Sequence, residues 1–385
     1  MLRVLYLVPN LADAAVARRI EMMRTGSAQV AVAGFRRADT AVPDFDVSAY
    51  LELGETFDAR FVQSIMAVIR AHGTLTRRAG ALGVPDVIVA RNLEMLSLAS
   101  RLQSLWPSRP PIVYECLDIH RLLLRGDVVG RAMRSAERHW ARKASLLITS
   151  SPAFLTNYFD IHGAPPALVV ENKVLFEHGQ RGINPALTPG PAVPLRIGWF
   201  GALRCRKSLT ALADFSNAMG GRVQVILRGR PALSEFDDFH GFVAAQPHLT
   251  FAGPYRNPGD LAAIYSRVHL AWSIDCFEEG QNSRWLLPNR IYEGSLHGAV
   301  PITLEGTETA AFAKRQGIGI ALPDITQPSL MARIATLGPQ KLADLASAVA
   351  SRNPSNFAYG ATDCHAFVSR LQRLCDPKPS LTEAA

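Results

Sequence analysis

Short apolar runs, each closed by a turn, recur along this chain and constrain its fold more than any other feature. In the first half they are Leu2–Val8, Gln29–Gly34, Asp86–Ala90, Pro111–Glu115, Leu146–Ser150 and Ala167–Glu171. In the second half they are Leu195–Phe200, Val223–Gly229, His248–Tyr255, His269–Ile274 and Ala299–Leu304. A continuous apolar run suits a parallel strand buried on both faces. Helical patterns stand between the runs. Asp13–Arg24 is one. Phe57–Ala71 is another, with Phe61, Val62, Ile65, Val68 and Ile69 at helical spacing. Strands alternating with helices predict an α/β fold with doubly wound parallel sheets. Ligands of such sheets bind beyond the carboxyl ends of the strands, where Arg91, Asn92, Asp118 and His120 fall in the first half.

Leu175–Pro194 is rich in Gly and Pro and has little periodicity, so it separates two domains. The expected division is a first domain over 1–178, a linker over 179–194, a second domain over 195–355, and a helix and tail over 356–385 that pack back on the first domain. Phe357–Leu374 is the expected last helix. A composition of 48% hydrophobic and 19% charged residues is that of a globular chain rather than a disordered one. No apolar stretch reaches the roughly 18 residues of a membrane span. The start, MLRVLYLVPN, is too briefly apolar for a signal peptide. The five cysteines are scattered without metal-ligand spacing, as expected of free thiols in a reducing cytoplasm.

The net charge of +8 favours anionic partners. Arg131, Arg134, Arg138 and Arg142 recur at spacings that put four guanidinium groups on one helical stripe near Trp140. The stripe is either a solvated face or a docking surface for an anionic membrane. No nucleic-acid-binding motif is present, so nucleic acid is not expected as a partner. Asp44-Phe45-Asp46 is a DxD triplet of the kind that holds a metal in some enzymes. It lies in a loop with no apolar strand before it, and no metal is expected.

The second half carries the chemistry. The run Leu195–Phe200 ends at Gly201 and is followed by Arg204, Lys207 and a helical pattern. A strand, a Gly turn and a helix start form an anion site, to which Arg adds a planar fork and Lys a mobile charge suited to a diphosphate. A basic surface turn is the alternative. Neither GxxxxGK[ST] nor GxGxxG occurs. Asn257-Pro258-Gly259-Asp260 reads as a helix start, with the helix running to Val268. Gln281–Gly306 reads as a polar loop, a helix with Pro288 at its first position, a turn at Gly298 and a buried strand. Asn289 and Glu293 share a face of that helix, and a carboxylate there can accept from two vicinal hydroxyls of a ribose. A capped helix with a solvated Glu is the alternative.

Taken in order, these elements resemble the nucleotide-binding domain of two-domain glycosyltransferases of the GT-B fold, over about Leu195–Asp324. NRIYEGSLHG, followed by Pro301-Ile302, resembles the N-K/R-hydrophobic-x-E pattern of bacterial polysaccharide glycosyltransferases. Enzymes that extend lipid-linked repeat units of exopolysaccharides such as succinoglycan resemble it most. The resemblance implies two Rossmann-like domains facing a cleft, the first binding the acceptor and the second the donor. It implies metal-independent transfer of a hexose from a nucleoside-diphosphate sugar to a lipid-linked oligosaccharide at the inner face of the cytoplasmic membrane. UDP is favoured as the commonest donor nucleotide of such enzymes. Arg204 and Lys207 would meet the diphosphate and Glu293 the ribose, with Asn289 beside it. Arg228, Gly229 and Tyr255 would lie near the base. The loop Glu278–Ser283, with Asn282 and Ser283, would face the donor sugar.

One departure stands out. Many retaining relatives carry a Glu eight residues before the position of Glu293, where this chain has Trp285. Retention of anomeric configuration is therefore not implied. An inverting enzyme needs a base for the acceptor hydroxyl. Asp118 is the first candidate and His120 the second, against a helix cap and a loop or core histidine. Two other classes share this organisation: a nucleotide-sugar epimerase and a non-catalytic two-lobed sugar-nucleotide binder.

Overall fold

The apolar runs become the strands of two parallel sheets. The computed structural model describes residues 1–37, 45–56, 70–73, 75–176 and 194–376. It divides into two units, Met1–Val170 with the residues from Tyr359 onward, and Glu171–Ala358.

In the first unit the strands are β1 (Arg3–Val8), β2 (Gln29–Arg37), β3 (Ala49–Thr56), β4 (Val87–Arg91), β5 (Ile112–Cys116), β6 (Ala144–Thr149) and β7 (Ala167–Val169). They lie in the order β3-β2-β1-β4-β5-β6-β7, with every pairing parallel. Every residue of β4 and β5 is buried, as an apolar run covered on both faces requires. β3 answers to no apolar run. It is an edge strand that buries Leu51 and Leu53 while Tyr50 stands exposed, so its pattern alternates. The helix Ala14–Thr25 begins as expected, with the Asp13 carboxylate accepting from the Ala15 N–H.

In the second unit β9 (Leu195–Leu203), β10 (Val223–Pro231), β11 (Leu249–Phe251), β12 (Leu270–Trp272), β13 (Val300–Leu304) and β14 (Ile320–Leu322) follow the order β11-β10-β9-β12-β13-β14, again all parallel. The chain winds one way from β9 to β11 and the other way from β12 onward. The strand order therefore reverses between β9 and β12, where an open α/β sheet presents its ligand crevice.

Several boundaries differ from the expectation. Glu171–Phe176 belong with the second unit, because β8 (Val174–Leu175) pairs with β15 (Ala358–Tyr359) and Val174 joins that unit's core. The last helix is shorter than expected, Ala361–Gln372, and packs on the helix Ala14–Thr25 of the first unit. A Cβ on Gly26 would sit 2.4 Å from the Cys364 carbonyl oxygen, so only glycine admits this approach. Arg91 and Asn92 form no polar loop. Arg91 ends β4, and Asn92 opens the helix Asn92–Gln103. The helix expected from Asn257 to Val268 is only Leu261–Tyr265. Asp260, not Asn257, stands at its cap position, and the Asn257 Nδ2 donates to a buried carboxylate elsewhere. Asp44, most of the expected helix Phe57–Ala71, and nearly all of the expected linker lie outside the described residues. Among the described residues no helix is long and apolar enough to cross a membrane.

Candidate active site

At the β9–β12 reversal two strand-end loops bring charge together. β9 leads through Arg204 and Cys205 into the helix Arg206–Ala218. Gly229 of β10 faces Gly201 across the strand pair, with φ of 129°. A Cβ there would lie 1.9 Å from the Gly201 carbonyl oxygen, so glycine is required on both counts.

Asp275, just beyond β12, is the hub. Its carboxylate lies 3.3 Å from Arg204 Nη2 and 3.5 Å from Arg290 Nη2, and it accepts from the Phe277 N–H at 2.9 Å. The Ser283 hydroxyl donates to it at 3.4 Å. Burial pushes the Asp275 pKa up, but Arg290 and Arg204 outweigh it and hold the group below the ordinary carboxylate value. The Arg204 guanidinium also lies over the Phe277 ring, 4.7 Å from its centroid. Lys207 Nζ meets both oxygens of Glu279, at 2.7 and 2.8 Å, and that hydrogen bond raises the ammonium pKa. Arg290 Nη1 is buried and, among the described residues, has no hydrogen-bond partner.

Beside this cluster lies a second buried acid. Glu293 is only 3% exposed, which overturns the alternative of a solvated Glu. Asn257 Nδ2 donates to its Oε1 at 2.7 Å, and the Tyr265 hydroxyl lies 3.5 Å from Oε2. Burial first, and the Glu293 charge second, raise the Tyr255 hydroxyl pKa, while Arg290 and Arg228 oppose them. Arg228 donates to the Pro254 carbonyl at 2.9 Å. Arg228, Tyr255, Glu293 and Arg290 thus share one charged neighbourhood.

Asn289 is half-buried as the first residue of the helix Asn289–Leu296. Pro288 occupies the cap rather than the first helical position expected of it. Asn282 and Ser283 are buried inside their own loop. The Glu278 N–H donates to the Ser283 hydroxyl at 2.9 Å, and Asn282 Nδ2 donates to Glu278 Oε2 at 3.4 Å.

In the first unit Asp118 and His120 are exposed on the loop after β5. The Asp118 carbonyl accepts from the Cys116 thiol, and His120 Nδ1 accepts from the Leu122 N–H. Asp118 caps no helix, and His120 is the loop histidine of its alternative reading, not a core one. The nearby helix Val128–Ala141 is capped by Asp127. On that helix the stripe of four arginines is reduced. Arg131, Arg138 and Arg142 are exposed, but Arg134 turns back to the Leu123 and Arg125 carbonyls at 2.6 and 2.7 Å. Val128 and Val129 are exposed at its start.

Asp46 of the DxD triplet is ion-paired with Arg24. Among the described residues no cluster of His, Cys, Asp or Glu is placed to hold a metal ion. Sequence reasoning missed Asp275 and gave Arg290 no role. The signal for both was a charged residue inside a segment otherwise destined for burial.

Sucrose-phosphate synthase from Thermosynechococcus elongatus has the same fold. Its TM-score is 0.73 at 13% identity, covering 97% of this chain and 98% of that one. Anabaena HepE in complex with UDP and glucose matches with a TM-score of 0.67 at 16% identity, over 97% and 100% of the two chains. With two parallel α/β units and ionised groups gathered where the second sheet reverses, the architecture is that of the GT-B glycosyltransferases. No family model matches the chain. It is 52% identical over 380 residues to the succinoglycan biosynthesis protein ExoL of Rhizobium meliloti, which spans 97% of this chain and 94% of that protein. The chain therefore belongs to the ExoL family.

Proposed function

We propose that this protein is a glycosyltransferase that moves a hexose from a UDP-sugar to a lipid-linked oligosaccharide during assembly of a succinoglycan-type exopolysaccharide. The observation that carries the reading is the pair Arg204 and Arg290 around Asp275, with Lys207 on Glu279 in the first turn of the helix Arg206–Ala218. It offers several cationic donors for a diphosphate, one of them unused. The succinoglycan role of the ExoL relative and the UDP and glucose bound by HepE support the choice of chemistry.

Transfer breaks the bond between the anomeric carbon and the diphosphate through an oxocarbenium-like transition state. Charge builds on the departing phosphates. Arg204, Arg290 and the helix N–H groups stabilise it, and Lys207 exchanges Glu279 for a phosphate oxygen. Glu293 accepts from the ribose hydroxyls. Arg228, Gly229 and Tyr255 line the base, Asn289 stands beside the ribose, and the loop carrying Asn282 and Ser283 faces the sugar. Asp118, with His120 as second choice, takes the acceptor hydroxyl proton.

The lipid-linked acceptor calls for a position at the inner face of the cytoplasmic membrane. The exposed Arg131, Arg138 and Arg142, with Val128 and Val129, form the docking surface. Each basic residue near an anionic surface contributes about 1 kcal/mol.

A thermal-shift screen with UDP-, GDP- and dTDP-sugars tests the donor, because a ligand of the native state raises its stability. UDP-sugars should give the largest shift, and extracted lipid-linked saccharide should then gain a hexose. The absence of any shift would sink the reading. Conversion of a UDP-sugar to its epimer without acceptor would make the protein an epimerase.

A further inference from the structure

Two thiols lie inside the proposed donor site and take no part in the chemistry above. Cys205 caps the helix Arg206–Ala218, its sulfur accepting from the Ser208 N–H at 3.3 Å. Cys276 lies between Asp275 and Phe277 in the loop after β12. Their chain neighbours are clasped together, since Arg204 both binds Asp275 and covers Phe277. β9 and β12 are adjacent strands, so the two loops rise side by side. The two thiols are close enough to perturb each other's ionisation.

The chemistry of the pair is asymmetric. The contact with Cys276 is the main cause that lowers the Cys205 pKa. Burial opposes it, and the contact with Ser208 adds to it. Burial raises the pKa of Cys116, Cys364 and Cys375 instead, the last two to about 11. Its place at a helix N-terminus, with another thiol nearby, makes Cys205 the favoured nucleophile of the two.

We propose that Cys205 and Cys276 form a reversible disulfide that ties the loop after β12 to the start of the helix Arg206–Ala218 and weakens donor binding. The Cys205 thiolate attacks one sulfur of a small-molecule disulfide and expels one thiolate. Cys276 then loses its proton, attacks the Cys205 sulfur and expels the second thiolate. Two protein thiols are oxidised and the small disulfide is reduced to two thiols. A small dithiol reverses the reaction.

The functional consequence rests on the donor-site reading. Glu279 lies three residues after Cys276 and covers Lys207. A diphosphate has to displace that carboxylate. Tethering Cys276 restrains the loop in the conformation that keeps Glu279 over Lys207.

The test treats the full chain with glutathione disulfide. Peptides are mapped without reduction, and UDP binding is measured by calorimetry on reduced, oxidised and re-reduced protein. A Cys205–Cys276 peptide is expected, with UDP binding weakened by about tenfold or more, within the usual range for coupled sites, and restored by dithiothreitol. Cys276→Ser should lose the cross-link and the sensitivity to oxidant. Cys276→Ala serves if that variant misfolds. Failure of folded wild type to yield the cross-linked peptide would overturn the thiol pair. A cross-link with unchanged UDP affinity would overturn its effect on binding. If the reduced protein does not bind UDP, the donor reading fails, while the peptide map still decides whether the disulfide forms.

Discussion

Each unit places ionised side chains near the carboxyl ends of its central strands, and the two clusters are built to opposite purposes. In the first unit Glu115 of β5 is fully buried. It accepts from Arg19 Nε at 2.6 Å, Arg91 Nε at 2.9 Å and the Tyr6 hydroxyl at 2.5 Å. Each of Arg91's other two nitrogens also has a partner, Nη1 in Asp13 and Nη2 in the Ala15 carbonyl. Arg19 stacks on Phe367 of the last helix. In the second unit the acid is again buried, and so is Arg290, but Arg204 and Lys207 are not. The Arg204 side chain is 36% exposed, that of Lys207 is 54% exposed, and Arg290 keeps an unused donor. A saturated network has nothing left to offer a ligand and serves as scaffold. A network with spare donors at a strand-order reversal is ready for an anion.

The largest expected effect breaks the first cluster. Arg91→Ala leaves Glu115 without one of its two cations and should destabilise the protein by about 3–5 kcal/mol, the usual cost of breaking a buried pair. Urea unfolding checks this, and an unchanged midpoint would refute the scaffold role.

Next in size is the transfer rate of Asp118→Asn. It should fall about 100-fold if Asp118 is the general base, with UDP affinity unchanged. A full transfer rate in this variant would move the base to His120.

The pH dependence sharpens the contrast further. Burial pushes the Glu115 pKa up, yet Arg91 and Arg19 outweigh it and hold it at about 2, below the ordinary 4.5. A depressed carboxylate contributes stability that is fully present above its unfolded value and is lost as the pH falls from there toward about 2. Glu115→Gln should flatten acid unfolding in that window. An equally steep profile in the variant would contradict the assignment.

The smallest effect concerns the helix Val128–Ala141. Reversing the charges of Arg131, Arg138 and Arg142 should reduce flotation with anionic vesicles by about 1 kcal/mol per residue, while reversing Arg134 alone should do less, since it is tied to backbone carbonyls. Equal recovery of all variants would reject membrane docking.

The α/β fold was legible because strands buried on both faces carry unbroken apolar stretches, as β1 does over Val4–Val8, β4 over Val87–Ala90 and β5 over Ile112–Tyr114. β3 was not, because an edge strand buries only one face. Arg204 and Glu293 stood out in the sequence as a charged residue after a strand and a carboxylate on a helix face, whereas Arg228 and Tyr255 entered only through the resemblance. Asp275 did not stand out, since its role depends on Arg204, 71 residues away, and on Arg290, 15 residues away. Helical spacing displayed the arginine stripe but not the carbonyls that withdraw Arg134 from it. Arg91 looked like a ligand residue by position, and only the burial of Glu115 explains why it is structural.

The central claim is that the half-exposed cations of the second unit form the donor diphosphate site. Calorimetry of UDP binding to wild type and to the Arg204→Ala/Lys207→Ala double variant tests it most directly. With hydrogen bonds to charged groups contributing about 1.5–3 kcal/mol each, the double variant should bind at least about 100-fold more weakly. Its urea midpoint should fall modestly, because the buried Asp275 keeps Arg290 but loses Arg204, while the exposed pair of Lys207 and Glu279 contributes little to stability. Unchanged UDP affinity in a folded double variant would contradict the account.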